Sequence, residues 1–205
     1  MPTNVPAAPE FGQPTPFGEI HPDTLALLAK RRSSSPQHLA APAPSAEQLN
    51  DLLRLAARVP DHGKLFPWRF IVVQGEAKAA LAERLEALAK ERPDADKAGS
   101  VLFKLKTPPL AVLVVSRVVE GHIPAWEQQL SAGACCQTLV LAATAMGYGA
   151  NWITDWYSYD PRATALLGIA SNEQIAGVVL IGTPTEVPLE RVRPDIEAIT
   201  SVWKP

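Results

Sequence analysis

Two short basic stretches carry the chemistry an anion needs. Arg31-Arg32-Ser33 joins two forked guanidiniums to a hydroxyl, a donor set suited to a phosphate. The same residues would also serve as the solvated end of a helix, where cations complement the dipole. Far along the chain, Arg191 and Arg193 stand two apart in an extended segment, so their side chains share a side. They could complete a phosphate site or merely decorate a surface. Pro60-Asp61-His62-Gly63-Lys64 with Pro67-Trp68 makes a rigid polar loop. His62 and Lys64 could hold a planar polar ligand, or the loop could be a turn with Trp68 anchoring the core. Asp61 and His62 invite proton transfer, but the sequence offers no nucleophile to partner them. Trp152-Ile153-Thr154 ends a strand pattern. Its main-chain amides could face a ligand, or its aromatics could pack in the core.

Other chemistry is excluded. Gly147-Tyr148-Gly149-Ala150-Asn151 looks like a dinucleotide fingerprint, but it follows a helix and precedes a strand, the reverse of the required order. His21, His38, His62 and His122 are scattered, so no metal-ligand spacing exists. Cys135 and Cys136 are adjacent in a helical stretch, with side chains about 100° apart. They read as buried, reduced packing residues, which fits a cytoplasmic protein. The net charge is −2 and 47% of residues are apolar, which suits a globular protein and argues against nucleic acid as a partner. Met1–Gly18 has no apolar run, so no signal peptide is visible.

The elements that must position these groups centre on Pro124–Met146. This stretch reads as one helix of roughly 34 Å, with Glu127 in its first turn and Gly147 as a left-handed cap. No charge appears from Gln128 through Thr154. A helix apolar on nearly all sides is buried all round or spans a membrane. The run is rich in small residues, is interrupted by Gln128, Gln129 and Gln137, and has no flanking Lys or Arg, so a core helix is the expectation. Covering every face calls for much surrounding structure, from this chain or from a second subunit.

Around it, Asp23–Lys30 is expected as a helix with Leu25, Leu27 and Leu28 as its apolar face. Ser45 with Gln48 opens another helix as a capping box, and Pro60 closes it. Ala77–Glu91 and Pro161–Leu167 read as helices. Phe70–Val73, Leu110–Val115, Tyr148–Ile153 and Gly177–Ile181 read as strands; Gly182-Thr183-Pro184 reads as a turn and Ile199–Trp203 as an edge strand. Residues 1–21, rich in proline, form a flexible tail or an arm on a partner. The alternation of helices and strands argues for an α+β domain.

Taken together, Arg31-Arg32-Ser33, Arg58-Val59-Pro60-Asp61-His62 with Pro67-Trp68, and Pro124–Gln128 with Ser131-Ala132-Gly133 resemble the FMN-dependent nitroreductase family, most closely its small YdjA-type members. Gly149 to Thr154 and Gly182-Thr183-Pro184 add to the match, which covers roughly residues 22–195 in the expected order. The resemblance implies a nitroreductase-like α+β fold, with a central antiparallel or mixed sheet flanked by helices and the long helix as dimer core. It implies an FMN-binding domain over 22–205 and an intertwined homodimer, with FMN at each subunit interface. The phosphate and ribityl chain would lie near Arg31, Arg32 and Ser33, with Arg191 and Arg193 on the phosphate. Arg58 and His62 would lie along the flavin edge, and the main chain of Trp152, Ile153 and Thr154 would face its ring. The implied activity is ping-pong hydride transfer from NAD(P)H to nitroaromatics, quinones or similar acceptors. No residue need act as a covalent catalyst, and His62 is a possible auxiliary. The alternatives are a specialised flavoenzyme of the same fold (an enone reductase or dehalogenase, with Pro93–Lys106 as a lid) and a non-catalytic flavin-binding protein.

Overall fold

The computed structural model describes residues 5–15 and 18–205. Its centre is a sheet in which every pairing is antiparallel. Strand β5 (Glu173–Pro184) lies in the middle. On one side β5 pairs with β3 (Leu110–Arg117), which pairs in turn with β2 (Trp68–Gln74). On the other side it pairs with β4 (Gly149–Ile153) and, further along, with the two-residue β1 (Leu39–Ala40). The segment Gly182-Thr183-Pro184 therefore continues a strand instead of turning. Ala40 opposes Thr183 and Leu39 opposes Pro184, and proline is tolerated there because it ends the strand.

Strand β3 explains its own sequence. Leu110, Val112 and Val114 enter one core cluster, with α2 (Ala46–Ala56) and α6 (Ala125–Ala145). Ala111 and Leu113 enter another on the opposite face, with α3 (Gly75–Lys90), α4 (Ala95–Ser100), α5 (Phe103–Lys106) and α7 (Pro161–Leu166). A strand covered on both faces has no polar alternation to show. Ala98, Leu102 and Leu105 are buried in that second cluster. The stretch Pro93–Lys106 is thus built into the core and is not a free flap.

The capping box at Ser45 forms as expected, and Gly147 takes φ +83 after α6. Pro124 sits at the N-cap position, just outside the helix. Within one chain α6 is not buried all round. Ser131, Ala132, Cys135, Cys136, Leu139, Val140, Ala142 and Ala143 face inward, while Trp126 and Leu130 are 67% and 54% exposed. Trp126, Leu130, Ala134, Gln137, Leu141 and Ala145 continue that outward stripe at helical spacing.

Helix α1 (Pro22–Lys30) buries none of its residues, and Leu25 and Leu28 remain exposed. The expected edge strand at Ile199–Trp203 does not form. Glu197–Ile199 makes a single tight turn, and Val202 and Trp203 stand exposed with no strand edge beside them. Of the expected tail 1–21, residues 1–4, 16 and 17 lie outside the described residues. Within the described part, Arg54 donates to the Pro6 carbonyl at 2.9 Å, which ties the segment to α2.

Candidate functional site

Arg31 and Ser33 sit just beyond the C-terminal end of α1, with Arg31 Nη1 3.4 Å from Ser33 Oγ. The next residue fixes the segment to the sheet. Ser34 N–H donates to Ala150 O at 3.0 Å, and Asn151 Nδ2 donates to Ser34 O at 2.5 Å. Because Ala150 points its carbonyl away from β5, strand alternation turns the N–H and C=O of Trp152 the same way. The open edge of β4 thus runs from the basic segment to the amide of Trp152. Two glycines make this approach possible. A Cβ on Gly149 would stand 2.6 Å from Leu39 and 2.7 Å from Ser34 Oγ. A Cβ on Gly177 would overlap the Trp152 indole, which donates from Nε1 to Ala176 O at 3.3 Å. Ile153 directs its side chain into the second core cluster, and Thr154 Oγ1 accepts from Tyr159 OH at 2.8 Å.

The C-terminal segment returns to the same place. Arg32 Nε donates to Leu189 O at 2.8 Å, across 157 residues, and Arg193 Nη2 lies 3.5 Å from Arg31 O. The Glu190 carboxylate sits among these cations, 3.1 Å from Arg193 and 3.8 Å from Arg32. The Arg191 N–H, followed by its cationic neighbours, holds the Glu190 carboxyl below the usual range. The Arg191 side chain has no partner among the described residues. A cavity of about 510 Å³ lies beside the cluster, lined by Leu27, Arg31, Arg32, Thr144, Gly147 and Val187. It marks this as the C-terminal end of α6.

Arg58 and His62 are elsewhere. Ser131 Oγ donates to Pro60 O at 2.6 Å, and His62 Nδ1 meets Glu127 Oε2 at 2.8 Å, so this loop rides on the N-terminal end of α6. The Asp61 carboxylate accepts from Leu65 N–H at 3.2 Å and Phe66 N–H at 2.9 Å. Those bonds hold Lys64 and Phe66 at φ +54 and +49, a conformation such residues rarely adopt. A carboxylate only accepts, so His62 carries its proton on Nδ1 and turns Nε2 outward. Arg58 is exposed and has no side-chain partner among the described residues. Burial, with Asp61 adding to it, pushes the Cys135 thiol up to about 12; Cys136 is raised equally, so neither is a thiolate at neutral pH.

The structure therefore brings Arg31, Arg32, Ser33, Arg193 and the Trp152 edge together. It keeps Arg58 and His62 toward the N-terminal end of α6, a 21-residue helix roughly 30 Å long, away from the Arg31 cluster at its C-terminal end, while the Trp152 ring lies over Gly133 partway along it. Sequence reasoning missed Glu127, Asn151 and Glu190. Glu127 had a signal, being acidic in a helix's first turn, but its partner is 65 residues away.

The profile of the nitroreductase family matches residues 28–183. The chain belongs to the nitroreductase family. The family chain is 38% identical over 167 residues to YdjA of Escherichia coli (strain K12), which carries the provisional name NAD(P)H nitroreductase; the match spans 79% of this chain and 88% of that protein. A Haemophilus influenzae protein with the same provisional name is 35% identical over 170 residues, 80% of this chain and 90% of its own. Among solved structures, a nitroreductase-like family protein from Bacillus cereus superposes with a TM-score of 0.79 at 21% identity, covering 92% of this chain and all of its own. A Bacteroides fragilis nitroreductase crystallised with bound FMN gives 0.69 at 21% identity, covering 89% and 100%. The α+β architecture is that of the family.

Proposed function

We propose that this chain is an FMN-dependent NAD(P)H oxidoreductase that works as a homodimer and reduces small oxidants such as nitroaromatics or quinones. The observation that carries this reading is the separation along α6. One end supplies cations, from which the open amide edge of β4 runs back along the helix; the other supplies an outward imidazole and a free guanidinium. An uncharged stripe of the helix lies uncovered between them. Two copies crossing on that stripe would bring the Arg31 end of one chain to the His62 end of the other.

The residues fit FMN. Arg31 and Ser33 form a charge-assisted clamp for one phosphate, Arg193 adds a second fork, and the Trp152 amide edge suits the polar rim of a flavin. Bound FMN would supply the hydride chemistry, taking a hydride from NAD(P)H and passing it to the oxidant. The protein's part is placement. Arg31 and Ser33 would hold the phosphate, Arg32 anchors the C-terminal segment, and β4 would align the ring. Arg58 would lie along the flavin edge. His62 holds a proton, its ring oriented by Glu127. If donor and acceptor share one flavin face they exclude each other, which is the condition for ping-pong turnover. Residues 22–205 form the FMN-binding domain. The buried, unbridged cysteines fit a reducing cytoplasm. Among the described residues, no helix is long and apolar enough to cross a membrane.

The test is the absorbance spectrum of the purified protein under nitrogen. Yellow protein that bleaches with NAD(P)H alone, and recovers when a quinone is added, supports the reading. Acid-released FAD, or no flavin after reconstitution with FMN, rejects it.

A further inference from the structure

The basic cluster already holds an anion. Glu190 Oε1 accepts from the Arg191 N–H at 2.7 Å and lies 3.1 Å from Arg193 and 3.8 Å from Arg32. One residue earlier, the Leu189 carbonyl accepts from Arg32 at 2.8 Å. Two consecutive residues thus present acceptors to the cations expected to take a phosphate. Arg193 in turn reaches back to the Arg31 carbonyl at 3.5 Å, which joins this arrangement to the clamp itself.

We propose that Glu190 is the resident occupant of the anion cluster, and that a flavin mononucleotide enters by exchanging its phosphate for this carboxylate. The proposal rests on the FMN reading above and adds a competitor to it. The exchange is uneven by design. A phosphate brings more charge and three strong acceptor oxygens, while Glu190 brings one charge and is covalently at hand. The carboxylate holds Arg193 and the C-terminal segment in order when no flavin is bound, and it yields when one arrives. A flavin lacking the phosphate has nothing to exchange and leaves the contact closed. Glu190 thereby tunes the affinity for the phosphorylated flavin alone.

The experiment is equilibrium titration of flavin-free protein with FMN and with riboflavin, read by quenching of flavin fluorescence. Wild type is compared with Glu190→Gln, Glu190→Asp, Arg193→Gln and the Glu190→Gln/Arg193→Gln double variant. Glu190→Gln is expected to tighten FMN by roughly three- to fivefold, the upper scale of exposed charge contacts, and to leave riboflavin within about 1.5-fold. Glu190→Asp keeps the charge and is expected to bind like wild type. In the Arg193→Gln background the gain should largely vanish, because the contact to be exchanged is already gone. Unchanged or weaker FMN binding by Glu190→Gln overturns the proposal. So does an equal gain with riboflavin, or an undiminished gain without Arg193, which would be plain charge repulsion. Wild-type protein that binds neither flavin rejects the FMN reading itself, and the proposal with it.

Discussion

The two ends of α6 carry different chemistry on different kinds of support. At the C-terminal end, cations come from segments 157 residues apart and are held by main-chain bonds to the edge of a sheet. At the N-terminal end, one short loop folds on its own Asp61 and offers a single imidazole oriented by Glu127. The first arrangement can bind an anion; the second can hold a proton. Neither is a complete redox site by itself. On the proposed reading these are two half-sites, and the uncovered stripe between them would be the means of joining two copies.

Breaking the stripe should have the largest effect. Leu130 is half exposed in one chain, so a single chain would accept Leu130→Glu with little change. If the stripe joins two copies, each buried charge costs about 3–5 kcal/mol. Light scattering should then report monomers, and flavin should be lost. Leu139→Asp is the contrasting case. Leu139 is fully buried against the sheet, so that variant should be insoluble instead of monomeric.

Arg31→Ala tests the C-terminal end alone. Losing a charge-assisted bond should weaken FMN by about 1.5–3 kcal/mol, or roughly ten- to hundredfold in Kd. The melting temperature of flavin-free protein should not move. An unchanged titration would put the phosphate elsewhere. At the other end, His62→Ala should retain flavin but lower turnover by about 10–100-fold, with parallel double-reciprocal plots preserved.

A smaller effect gives a control outside both ends. Glu173 is held by Arg69 at 2.6 Å, which draws its carboxyl from 4.5 down to about 2. A carboxylate whose value is depressed on folding stabilises the fold above pH 4.5 and loses that stabilisation as pH falls toward 2. Denaturant titrations across that window should show a loss of about 1–3 kcal/mol, flattened in Glu173→Gln. The same slope in both proteins would assign the acid sensitivity to other carboxylates.

What the sequence made legible follows the range of the interactions involved. The Ser45 capping box and the Gly147 cap are closed by neighbours, and β3 announces its two-sided burial in an unbroken apolar run. The phosphate-clamp candidate at Arg31 and Ser33 was visible because helix end and hydroxyl are adjacent. Strand β1 was not, since two residues carry no pattern and exist only through pairing with Thr183 and Pro184. The C-terminal segment was misread as a strand because Ile199, Val202 and Trp203 are strand-prone, yet in one chain they find no edge. Glu127 reads as a first-turn acid and Glu190 as an ordinary surface acid, and only their distant partners show what else they hold.

The most direct test of the divided site is complementation between two defective chains. Arg31→Ala and His62→Ala chains, given different affinity tags, would be co-expressed and the mixed dimer isolated by sequential purification. If each site takes Arg31 from one copy and His62 from the other, one site of the mixed dimer is fully intact and the other carries both defects. Turnover per tightly bound FMN should then match wild type, although neither homodimer does. Turnover per bound FMN equal to that of the His62→Ala homodimer would mean that both ends act within one chain. The account of α6 as the divider of two half-sites would then be wrong.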